Sequence, residues 1–163
     1  MIKNLYFFLV IFYSSISIAQ NTIIGIYDDN VITLRQLEAI TEKKDSKDKK
    51  ISIIHALISE KIEIDYIKKL KITPSSSSIN SELVKIAEQN NISLEQFKQI
   101  ANYDEIYSIV LLNLSKIGLK QIMVNGNRDK PIDIRSKEGV SIYQSWLRSI
   151  KDKMYIEIFE EKF

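Results

Sequence analysis

Apolar positions recur at helical spacing through the middle of the chain and at strand spacing near both ends. Ile23-Ile24-Gly25-Ile26-Tyr27 is a β-prone run, Asp28-Asp29-Asn30 supplies turn residues, and Val31 and Ile32 resume the apolar pattern, which predicts a hairpin. Thr33 then stands three residues before Gln36, a capping-box spacing that predicts a helix of about ten residues directly after the second strand. From Ile51 the positions Ile54, Ile58 and Ile62 repeat along one helix face, widened by Leu57, Ile64, Ile67 and Leu70. That helix stops by Ile72, because Pro74 disfavours helical geometry at Thr73 and Ser75 to Ser78 compete for backbone bonds.

One of those hydroxyls is the expected cap of a third helix, whose apolar face is Ile79, Leu83, Ile86 and Ala87. It ends at Asn90-Asn91, since asparagine tolerates the left-handed backbone that closes a helix. Ser93 and Gln96 repeat the capping-box spacing, so IAEQNNISLEQF reads as helix, sharp corner, helix. Leu94, Phe97 and Ile100 line this short fourth helix, and Ile106 to Val124 form a long fifth. Ile142, Trp146, Leu147 and Ile150 share a face of a last helix, after which Met154 to Phe159 alternates as a half-buried strand. Between these elements, EKKDSKDKK ending at Lys50 reads as a solvated charged loop, and Asn125 to Gly139 reads as a linker.

The first residues change the picture of where the chain resides. Lys3 precedes an apolar run from Leu5 to Ile18, and Ser17 and Ala19 are small residues at −3 and −1 of a cut after Ala19, the layout of a secretory signal peptide. Three of the residues from Ser14 to Ile18 are serines, whereas a comfortable membrane span wants about 20 apolar residues. Cleavage removes one lysine and takes the formal charge from +2 to +1, which gives no electrostatic reason to expect nucleic acid or anionic lipid as a partner. The remaining length suits one domain.

Composition narrows the chemistry further. There is no cysteine, hence neither disulfide nor thiolate nucleophile. The single histidine, His55, falls mid-helix, where a spectator role is the expectation. No GxxxxGK[ST] phosphate loop occurs, and no cofactor or metal ligand set is expected.

Four stretches together resemble the core of the SurA-type periplasmic chaperones: IIGIYDDNVITLRQLE, ALISEKIEIDYIKKLKI, IAEQNNISLEQF and SIYQSWLRSIKDKMYIEIF. They span about two fifths of the chain, and the corner and the C-terminal stretch are the specific parts. The resemblance implies a mainly α fold of five to six helices, with a small antiparallel sheet formed by the N-terminal hairpin and the C-terminal strand. It implies a helical domain over residues 20–124, a linker at 125–139, and a helix and strand at 140–163 that complete the same domain. Relatives usually carry one or two parvulin-type prolyl isomerase domains where this chain has only the linker. Parvulin chemistry resembles a site of paired histidines, so no enzyme activity is expected here. Two departures stand out. Lys71 occupies the place where the family commonly ends its second helix with glycine, and the fifth helix carries Ile109-Val110-Leu111-Leu112-Asn113-Leu114, apolar over more than one face. Deeper burial is the expectation for that run; a wall left for a client or second subunit is the alternative.

The function implied is that of an ATP-independent periplasmic holdase for unfolded outer-membrane proteins, without stable membrane insertion after signal cleavage and without nucleic acid. Shallow apolar grooves with adaptable side chains suit such clients. The candidate client-binding residues are Phe97, Ile100, Tyr103, Tyr107, Leu111 and Met123 on the fourth and fifth helices. A structural or assembly subunit that forms a homodimer through the fifth helix, and a degenerate prolyl isomerase, are the competing readings.

Overall fold

The structure, a computed structural model, describes residues 21–126 and 128–163, so the expected signal segment lies outside the described residues. The chain runs β1 (Ile23–Tyr27), β2 (Asn30–Thr33), α1 (Leu34–Glu38), α2 (Lys47–Lys69), α3 (Ser76–Gln89), α4 (Leu94–Phe97), α5 (Tyr103–Asn125), α6 (Lys137–Lys151), β3 (Ile156–Ile158) and a closing 3₁₀ turn, Glu160–Lys162. The fold is mainly α with a small antiparallel sheet of order β2-β1-β3. The opening hairpin therefore takes its third strand from the far end of the chain.

Among the described residues, two hydrophobic cores form. The first gathers Ile24, Tyr27 and Ile32 of the hairpin, Leu37, the α2 positions Ile54, Ile58 and Ile62, Leu119 and Val124 of α5, and Tyr143 and Leu147 of α6. The second is built from Ile79, Leu83 and Ala87 of α3, Phe97 of α4 and Val110 of α5. Helix α5 belongs to both. Val110 and Leu119 are nine positions apart, about 2.5 turns, so they point to opposite sides of the helix. That geometry explains a helix apolar on more than one face. Burial is nonetheless partial: of Ile109 to Leu114, Val110 alone is fully buried and Ile109 stays 51% exposed.

Local chemistry sets the element ends. α1 is five residues rather than about ten, because the Leu37 carbonyl accepts from the Ile40 and Thr41 amides and from Thr41 Oγ1, which turns the chain out of the helix. The charged run is not all loop: Ser46 caps α2 by accepting from the Lys49 amide, and Lys47 to Lys50 form the first turn. Asp45 supports this start by accepting from the Glu42 amide at 2.9 Å and from Lys49 Nζ at 2.7 Å. α5 begins at Tyr103, one turn earlier than the apolar spacing indicates. The connection from α5 to α6 is tied down. Asn125 exchanges two hydrogen bonds with the Ile132 backbone, Ile132 and Ile134 rest on the first core, and Ser136 caps α6.

The two helix-ending corners share one geometry. After α3 the Ile92 amide donates to the Ala87 carbonyl and the Asn91 amide to Glu88, with Asn91 at φ 58. After α2 the Ile72 amide donates to Ile67 and the Lys71 amide to Lys68, with Lys71 at φ 52. Lys71 thus holds the backbone position that glycine would occupy without strain. Ser93 and Gln96 complete both halves of the capping box on α4.

The corner predicts a graded mutational series, read by denaturant melting. Asn91→Gly is tolerated and Asn91→Val costs roughly 1 kcal/mol or more, because a β-branched side chain resists φ above zero. Ser93→Ala costs about 1 kcal/mol through the lost cap, and Lys71→Gly gains up to roughly 1 kcal/mol. Equal stability of Asn91→Val and Asn91→Gly would contradict the left-handed closure.

Candidate functional site

An open apolar groove lies where the two cores meet. Its walls are Ile64 and Ile67 on the last turns of α2, Ile72 and Pro74 in the corner that follows, and Leu111 and Leu112 on α5. Its volume is about 280 Å³, with Lys68, Thr73, Ser108 and Ser115 at the margin. The serine hydroxyls donate to the carbonyls of Asp104 and Leu111 in their own helix, each at 2.8 Å, which leaves their lone pairs as acceptors. Gly118 makes the crossing close: a Cβ there would come 3.0 Å from Ile72 Cγ2. Ile64 and Leu112, both half-buried, belong to neither core and line the groove.

A polar clamp holds the walls beside it. Lys116 on α5 contacts Glu60 Oε1 at 2.6 Å and Glu63 Oε2 at 3.8 Å, both on α2. Tyr143 on α6 donates its phenol to Glu63 Oε1 at 2.8 Å. Burial first, then the hydrogen bond to Glu63, push the Tyr143 phenol well above its usual range, so it remains a donor throughout ordinary pH. Trp146 wedges between Tyr66 and Tyr143, with ring centroids 5.1 and 5.2 Å away, and locks α6 onto α2.

The structure divides the six candidate residues. Phe97 is buried in the second core, edge-to-face with Tyr103 at 5.9 Å, and Ile100 and Tyr103 rest half-buried against that core. Tyr107 is 37% exposed, its ring 6.2 Å from that of Tyr103. Leu111 reaches both the second core and the groove. Met123 sits near the far end of α5, beside Ile122 and Ile142 in a different hollow of about 470 Å³. Leu111 is the one member the groove shares. The residues missing from that set are Ile64, Ile67, Ile72 and Leu112, and the widened apolar stripe of α2 was the signal for the first two.

His55 lies at the surface of α2, its carbonyl accepting from Lys151 Nζ at 3.2 Å, and its imidazole is held below its ordinary range by partial desolvation against the helix first and the Lys151 charge second. Among the described residues no cluster of three His, Asp or Glu side chains is placed to hold a metal ion. Among them also, no helix is long and apolar enough to cross a membrane. No protein-family model matches the chain, and no curated protein matches it.

Tyr143→Phe tests the clamp. It leaves the Glu63 carboxylate, whose side chain is 13% exposed, short of one donor, and the expected loss is about 1–3 kcal/mol by urea melting. No loss would mean that the phenol adds nothing to the docking of α6.

Proposed function

We propose that the chain is an ATP-independent holdase for unfolded outer-membrane proteins, working in the periplasm after removal of its leader. The observation that carries this reading is the open groove at the junction of the cores, walled by aliphatic side chains and edged by hydroxyls and one lysine. An unfolded β-barrel chain displays alternating apolar side chains, and a groove of this size takes one or two of them at a time. Such contacts are weak singly and reversible without nucleotide, as holding requires. The half-exposed Tyr107, Ile109 and Ile117 extend the apolar surface along α5. The resemblance of four sequence stretches to SurA-type chaperones points the same way.

A homodimeric assembly subunit is the second reading, and Ile109 and Ile117, 51% and 44% exposed, are the observation that favours it. On that reading the purified chain is a stable dimer by light scattering and leaves client aggregation unchanged.

The test is aggregation of a urea-diluted β-barrel protein with excess mature chain. The expected result is suppression by the native chain and loss of most of it in Ile64→Ser combined with Leu112→Ser. Both residues are half-buried, so melting is measured alongside and suppression is compared at equal folded fraction. Aggregation at an unchanged rate with the native chain would end the holdase reading.

A further inference from the structure

The two edges of the sheet differ in what they offer. On β1 the residues Ile24, Ile26 and Asp28 bond to β3: the Asp28 amide donates to the Tyr155 carbonyl and the Phe159 amide to the Ile24 carbonyl, each at 2.9 Å, and Ile26 pairs with Glu157 between them. By the alternation of an antiparallel ladder, the amides and carbonyls of Ile156 and Ile158 therefore point away from β1. No described residue hydrogen-bonds to them. The β2 edge offers less by contrast. Its outward amide at Thr33 is taken by Gln36 Oε1 at 3.0 Å, which leaves Val31 as its outward residue. One edge of the sheet is shortened to a single outward residue by the helix that follows it; the other offers two successive outward residues as a template for a further strand.

The side chains along this open edge specify what fits. Ile156 and Ile158 lean on the first core, while Tyr155, 60% exposed, and Glu157 stand on the other face. A strand added antiparallel pairs its hydrogen-bonded residues with Ile156 and Ile158, and the residue between them lies directly opposite Glu157 at close Cα spacing. A second copy of this chain is disfavoured there. The register that pairs both outward residues of both copies sets Glu157 against Glu157, and like charges directly opposite repel.

We infer that the outer edge of β3 docks an extended segment of unfolded client as a fourth strand, apolar over Ile156 and Ile158 and basic opposite Glu157. This rests on the holdase reading for the identity of the occupant, while the backbone pattern and the Glu157 charge define its chemistry. Main-chain bonding to alternating residues is a recognition mode indifferent to exact sequence, as a holder of many clients needs. The groove would take side chains and the edge would take backbone.

The probe is a short capped peptide of alternating valine and lysine, added to the mature chain while amide exchange is followed residue by residue. The expected result is slowed exchange at Ile156 and Ile158, and loss of binding when the peptide carries N-methyl groups on the residues that face the edge. Glu157→Lys should weaken this peptide about tenfold and favour its valine–glutamate counterpart. Ile158→Pro removes an amide that points away from β1, so proline is compatible with the ladder there and should abolish the protection. Should that variant not fold, the N-methylated peptide on the native chain carries the same test. Unchanged exchange at Ile156 and Ile158, or equal binding of the N-methylated peptide, overturns the edge site. Aggregation suppression measured in parallel separates the two claims: suppression without edge protection sinks the edge alone, and edge protection without suppression sinks the holdase reading and with it the client as occupant, leaving the edge as a strand-binding site.

Discussion

Helix α5 has to satisfy two cores on opposite sides of one cylinder, and the rest of the architecture follows from that demand. Ile106, Val110 and Leu114 serve the second core; Leu119, Met123 and Val124 serve the first. A helix with a single apolar stripe could not do both, because the stripe would face solvent over half its length. The cost is apolar surface left at the crossover, where the helix has turned from one partner and not yet reached the other. Ser108, Leu111, Leu112 and Ser115 lie on that stretch, and the groove forms against them.

The corner after α2 supplies the opposite wall. Lys71 accepts a left-handed backbone, the chain reverses at Ile72, and Pro74 prevents α2 from running on over the gap. The clamp of Glu60, Glu63, Lys116 and Tyr143 then fixes α2, α5 and α6 relative to one another just beside the opening. Rigid walls and an unfilled space between them are thus products of the same few residues.

Much of the fold was legible because its signals are local. The hairpin turn at Asp28-Asp29, the capping boxes at Thr33 and Ser93, and the left-handed Asn91 each depend on neighbours a few positions away. The pattern misleads where a side chain overrides it: Thr41 folding back on Leu37 shortens α1, and Ser46 capping α2 draws lysines into a helix although charge alone points to solvent. The groove was harder to read. Periodicity marks Phe97, Tyr103 and Leu111 as apolar, but which face of α5 meets which core depends on contacts between residues far apart in sequence. Ile64 and Leu112 have no local mark distinguishing them from core positions.

The most direct measurement of the central claim is site-specific crosslinking with an unfolded outer-membrane protein. A photoreactive side chain placed at position 112, in the groove, is compared with one at Ile40, which is 58% exposed and lies in neither core nor groove. If the junction of the two cores holds clients, position 112 captures the unfolded chain, position 40 does not, and the folded barrel is captured at neither. Equal capture at both positions, or none at 112, would contradict it.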